Sequence, residues 1–192
     1  MTLRDRWEMP EIYRPAKDSR LLADAAVERI DPDERVLEVG VGSGYVAARV
    51  AAETGAEVVG CDLNPAACRA AADEGVPTVR ADLLDPFVDA CVDVVLFNPP
   101  YLPTPPELEW DDPLEHALSG GEDGRRLVRP FLRELPRVLR PDGRAYLHVS
   151  TLTDLEAVDR LAADAGLRTR EIASESVPFE RLVVLEITLR NT

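Results

Sequence analysis

The chain has 192 residues, 45% of them hydrophobic, enough for one domain with a proper core. Its formal net charge is −14, from 36 acidic residues against 22 basic ones, and Lys17 is its only lysine. That balance disfavours tight binding to duplex nucleic acid, which needs basic phosphate contacts; no apolar run is long enough to span a bilayer, and no His/Cys group has metal-ligand spacing.

An acidic surface with arginine in place of lysine suggests a halophile's cytoplasm, where salt screens self-repulsion; a GC-rich genome also favours arginine. The amino terminus is charged and lacks an apolar signal segment, so a cytoplasmic protein is expected. Cys61, Cys68 and Cys91 are scattered and read as small core residues. His116 and His148 read as structural or surface groups.

Residues 1–17 form a polar N-terminal arm. Asp18-Ser19 is a good N-cap pair, and Leu21, Leu22, Ala25, Ala26 and Ile30 follow at helical spacing until Pro32-Asp33 breaks the run. Arg35–Val39 is a short apolar strand entering Gly40-Val41-Gly42-Ser43-Gly44. A helix over Tyr45–Glu53 stops at Gly55. Glu57–Cys61 is a second strand, closed by Asp62. Asn64 caps the next helix, with Pro65 at its first position. Val76–Ala81 is a third strand, closed by Asp82, and Val92–Phe97 is the fourth. Residues 102–123 make a long Pro- and acid-rich loop, a length that is usually functional; Gly120, Gly121 and Gly124 read as hinges around it. Arg125–Leu139 is helical, in two pieces or kinked because of Pro130 and Pro136. Pro141-Asp142-Gly143 is a turn. Arg144–Val149 is the fifth strand, Leu152–Ala165 a helix, and Arg168–Glu175 and Leu182–Leu189 an antiparallel pair. Strands alternate with helices through most of the chain, so the expected fold is a doubly wound α/β sheet, with seven strands and one antiparallel strand at its end.

The chemistry gathers at strand ends, where open α/β sheets bind ligands. Asn98-Pro99-Pro100-Tyr101 follows the fourth strand. An Asn amide offers one acceptor and two donors in a plane, the prolines leave carbonyls free to accept, and Tyr101 supplies a flat face. Together they suit a clamp on a planar group bearing an NH2: one N–H to the Asn98 oxygen, the other to the Pro99 carbonyl. Gly40, Gly42 and Gly44 allow close approach of a ligand to the backbone, although their spacing is not that of the dinucleotide fingerprint. Glu38 stands where a carboxylate can pair with an ammonium. Asp62 stands where an acid takes ribose hydroxyls, and Asp82 with the Leu83 amide can meet an adenine edge.

With these residues the chain resembles the class I S-adenosylmethionine-dependent methyltransferases acting on a planar nitrogen. Tyr13-Arg14-Pro15-Ala16-Lys17-Asp18-Ser19, and Asn98 to Pro106 followed by Gly120-Gly121-x-x-Gly124-Arg125, narrow the resemblance to the HemK-type protein-glutamine methyltransferases, in their compact eukaryotic and archaeal branch. The resemblance covers nearly the whole chain. It implies a Rossmann-like sheet in the order 3-2-1-4-5-7-6 with strand 7 antiparallel, spanning 1–192 as one domain. It implies S-adenosylmethionine as methyl donor, S-adenosylhomocysteine as product, and N5-methylation of the glutamine of a Gly-Gly-Gln motif in a class I translation release factor. Cofactor contacts would fall on Ser19, Glu38, Gly40, Asp62, Asp82, Leu83 and Asn98, with Gly42, Gly44 and Leu63 beside them. Asn98, Pro99, Pro100 and Tyr101 would hold the acceptor. A small zinc-binding activator protein is the implied partner, with the edge strand 76–81 as its docking site; no metal site is expected in the chain itself. No residue stands out as a general base. An adenine-N6 or a lysine methyltransferase, and a non-catalytic nucleotide-binding module, are the alternatives.

Overall fold

The computed structural model describes residues 15–105, 107 and 118–190. The Tyr13-Arg14 start of the entry motif, Pro106, His116 and most of the acidic loop lie outside them. The elements run α1 (Lys17–Val27), β1 (Arg35–Val39), α2 (Tyr45–Thr54), β2 (Glu57–Asp62), α3 (Pro65–Asp73), β3 (Thr78–Arg80), β4 (Val92–Phe97), α4 (Val128–Val138), β5 (Leu139–Ser150), α5 (Leu155–Asp164), β6 (Leu167–Val177) and β7 (Glu180–Leu189). The seven strands form one sheet in the order β3-β2-β1-β4-β5-β7-β6, parallel from β3 to β5, with β7 antiparallel to both neighbours.

The central strands are buried on both faces, which is why they read as apolar runs, interrupted only at Glu38 and Asp93, rather than as strict alternation. On one face Leu37, Val39, Val95 and Phe97 pack with Phe131, Leu132 and Leu135 of α4. On the other, Val36, Val94 and Leu96 pack with Leu22, Ala26, Val46, Val50 and Ala71 of α1, α2 and α3. Among the described residues no helix is long and apolar enough to cross a membrane.

Four expectations need correction. The α1 N-cap is Ala16, which makes no side-chain cap bond, so Asp18 and Ser19 lie inside the first turn. Pro130 falls in the first turn of α4, where its missing N–H has no partner to lose, and the helix runs unbroken through Pro136. Residues 141–143 are carried inside β5, absorbed by a register shift against β4 between Val92 and Val94, rather than forming a turn before it. β3 keeps only three residues, because the Val76 amide bonds back to the α3 carbonyl of Ala71 at 3.0 Å.

Candidate active site

Strand register brings the expected residues to one level of the sheet. Val39 pairs with Cys61 on one side and with Phe97 on the other, so Gly40, Asp62 and Asn98 follow on adjacent strands. Between β1 and β4 the strand order reverses, and that crevice is where doubly wound sheets take ligands.

Gly40, Gly42 and Gly44 all have positive φ, of 64°, 52° and 82°. Gly44 is also the left-handed N-cap of α2, and a Cβ there would come within 2.8 Å of the Ala71 Cα, so no side chain fits. Asp62 braces this loop: its carboxylate accepts from the Gly42 amide at 3.0 Å and from the Asn64 amide at 2.8 Å. Burial holds the Asp62 carboxyl above the usual range against those two bonds. Glu38 is buried and accepts from the Ala47 amide at 2.7 Å, in the first turn of α2. Burial, with the nearby Asp62 charge adding to it, pushes its carboxyl up to about 8. Asp82 is exposed just past β3, Leu83 takes a left-handed conformation with φ 46°, and Leu63 is exposed beside Asp62.

The second half of the site is built on Asn98. Its Nδ2 donates to the Asp18 carboxylate at 3.2 Å and lies 3.5 Å from the Ser19 hydroxyl. Its Oδ1 is buried and has no hydrogen-bond partner among the described residues. Asp18 sits nearby for a local reason: its Oδ1 accepts the Ser19 amide at 2.7 Å, holding the side chain over the start of α1. Asp18 was legible as a cap and as part of the entry motif; its contact with Asn98 spans 80 residues and leaves no local signal.

Tyr101 is half-buried, with its ring edge-on to His148 at 5.2 Å between centroids, and its hydroxyl is 3.5 Å from Glu180. His148 is fully buried, neither ring nitrogen has a partner among the described residues, and burial lowers its pKa to about 4. Sequence reading left it as a structural or surface histidine, because a lone His in a strand carries no further signal; the structure puts it behind Tyr101. Two of the glycines after the acidic loop, Gly120 and Gly124, sit where backbone segments approach closely. A Cβ on Gly124 would fall 2.4 Å from the Tyr101 carbonyl oxygen. Hydrogen bonds Leu102–Leu118, Gly120–Leu102 and Thr104–Gly121 then lay this segment against the stretch after Tyr101.

The arrangement fits a charged nucleoside ligand beside a planar nitrogen acceptor. The glycine loop has room, since a Cβ on Gly42 would meet only the Gly40 oxygen, at 3.9 Å, and Glu38 is a buried acid able to face a cation. Asn98 Oδ1 is a buried acceptor in need of a donor.

Comparison with known proteins points the same way. A methyltransferase-domain family model matches residues 36–115. A candidate protein N5-glutamine methyltransferase of Methanocaldococcus jannaschii, MJ0928, is 37% identical over 183 residues, 92% of this chain and 91% of that one. Methyltransferase HEMK2 of Homo sapiens is 32% identical, over 95% and 92% of the two chains. Among solved structures, the E. cuniculi Mtq2–Trm112 complex, responsible for methylation of the eRF1 termination factor, superposes with a TM-score of 0.77 at 29% identity, covering 94% of this chain and 99% of that one.

Proposed function

The chain belongs to the HemK-type protein N5-glutamine methyltransferases, and on that premise we propose that it methylates the glutamine side-chain nitrogen of a Gly-Gly-Gln motif in a class I release factor, with S-adenosylmethionine as donor. The observation that carries this reading is the Asn98 amide. Its nitrogen is spent on Asp18 and Ser19, so its oxygen is left buried, oriented and able to accept one N–H of a planar amide.

When bound, S-adenosylmethionine supplies a methyl group on a positively charged sulphur. Gly40, Gly42 and Gly44 would let the backbone approach it. Asp62 would take ribose hydroxyls, with Leu63 beside it, and Asp82 and the Leu83 amide would meet the adenine edge. Glu38 and Ser19 would face the amino-acid part. Asn98 and the Pro99 carbonyl then hold both hydrogens of the acceptor amide, and Tyr101, backed by His148, fixes its plane. Pro99 is buried and Pro100 half-buried, so the clamp is rigid where it turns. An amide nitrogen is a poor nucleophile, and holding it in line can supply roughly 7–11 kcal/mol of the barrier. The proton leaves to water after transfer.

The same reading supplies a partner, a small zinc-binding activator docked along β3, and a place of work with the translation machinery in the cytoplasm. β3 is the sheet edge, Val79 on it and Leu63 beside it are exposed, and Arg80 Nε ties the two by donating to the Leu63 carbonyl at 3.1 Å. Edge strands offer main-chain groups that a second chain can complete.

The test is mass spectrometry of release-factor peptides after incubation with enzyme, activator and S-adenosylmethionine. One methyl group on the Gly-Gly-Gln glutamine is expected. Methylation of an adenine-containing oligonucleotide instead would replace this reading with the nucleic-acid one.

A further inference from the structure

Among the described residues five large apolar side chains are exposed: Leu63, Val79, Val88, Leu152 and Phe179. Leu63 and Val79 belong to the β3 side. Leu152 and Phe179 stand on the other side of the crevice, at the carboxyl end of β5 and the tip of the β6–β7 hairpin.

Phe179 is the extreme case, with its side chain fully exposed at 102%. It forms with Pro178 a two-residue connection, Val177 pairing with Glu180. Its φ is 73°, a left-handed conformation in which glycine is the default and a bulky residue is strained. Neither packing nor backbone preference accounts for an aromatic ring at this position.

The tip lies next to the acceptor clamp and is bonded to the segment after β5. The next residue, Glu180, accepts from the Tyr101 hydroxyl at 3.5 Å through one oxygen and from the Ser150 hydroxyl through the other. The Arg181 amide donates to Thr151 Oγ1 at 3.0 Å, and the Leu152 amide to Ser150 Oγ at 3.1 Å. The exposed Phe179 and Leu152 are thus carried on two segments bonded to each other, on the rim beside Tyr101.

We propose that Phe179, with Leu152 beside it, is a docking point for the folded body of the protein substrate, separate from the clamp that takes its glutamine. The proposal rests on the release-factor reading above and goes beyond it. A ring left fully exposed by the described residues does not line a pocket for a small acceptor; only a body large enough to reach across the rim meets it. Because β3 lies at the far end of the strand order, an activator docked there leaves this rim open.

The experiment compares two substrates, an intact release factor and a short Gly-Gly-Gln peptide from it, using enzyme with its activator. Phe179→Ala should raise KM for the intact factor about tenfold, the weight of one anchoring aromatic, with kcat unchanged. Peptide turnover should stay at the wild-type value. Phe179→Gly should lose the same KM while its Tm stays equal or rises, since glycine relieves the strained φ. Unchanged KM for the intact factor in both variants would overturn the proposal. Equal losses on peptide and protein would also overturn it, showing that the hairpin acts through Tyr101. Wild-type enzyme methylating neither substrate would remove the release-factor reading itself.

Discussion

At the scale of single residues the site is a set of polar atoms whose partners are chosen for them. Asn98→Ala removes the acceptor oxygen and also leaves Asp18 and Ser19 without the amide that bonds them. Transfer should be lost while most cofactor affinity survives, and a single-turnover rate near wild type would defeat the clamp. Tyr101→Phe should be mild, because at 3.5 Å the hydroxyl adds little and the proposed stacking would use the ring face. Asp62→Ala should weaken S-adenosylmethionine by about 1.5–3 kcal/mol in calorimetry, through a lost charged acceptor and a slackened Gly42 amide. Two buried groups predict opposite pH effects. Burial holds His148 near 4 in the folded chain against 6.5 ordinarily, so as pH falls through that window the unfolded chain binds its proton first and stability drops. Glu38 runs the other way: held near 8 against 4.5, it favours the folded state at low pH, and that contribution is lost as pH rises through the window. Denaturant melts of Glu38→Gln should therefore be more stable than wild type near pH 8, though the variant binds cofactor worse. His148→Leu should flatten the acid side of the profile. The acids at strand ends were legible because each stops an apolar run. The Asp18–Asn98 bond and the His148–Tyr101 contact were not, since nothing local encodes a contact across 80 residues.

At the scale of elements, the sheet was readable because β-branched runs stop at Gly, Asp or Asn-Pro, which cannot continue a ladder. What the structure changes is the two-piece reading of residues 125–139 and the turn expected at 141–143. Pro130 and Pro136 sit inside one helix, and residues 141–143 are absorbed in β5 by a shifted register. Gly124 shows the other use of glycine, close packing. Gly124→Ala would place a methyl 2.4 Å from the Tyr101 carbonyl at a φ of 72°, so the strand-end segment must move. The expected cost is about 1–3 kcal/mol in chemical denaturation, with a larger loss of transfer than of cofactor binding. Transfer at the wild-type rate would show that the Tyr101 segment tolerates displacement.

At the scale of the molecule, charge and edges decide what meets it. With a net charge of −14 the folded chain repels itself, and salt should raise its melting temperature; a flat salt series would count against the halophile reading. Hydrogen exchange with the activator present should slow at residues 76–81. Slowing confined to the β6–β7 hairpin would put the activator on the wrong side of the sheet. One further consequence follows from the Asn98 amide, whose nitrogen is already taken by Asp18 and Ser19. Turning the amide over would set its oxygen against the Asp18 carboxylate, so the group presents an acceptor and nothing else. On the clamp proposed above, a glutamine hydrolysed to glutamate would bring only oxygens to that acceptor, so the site would take the intact amide and reject the acid.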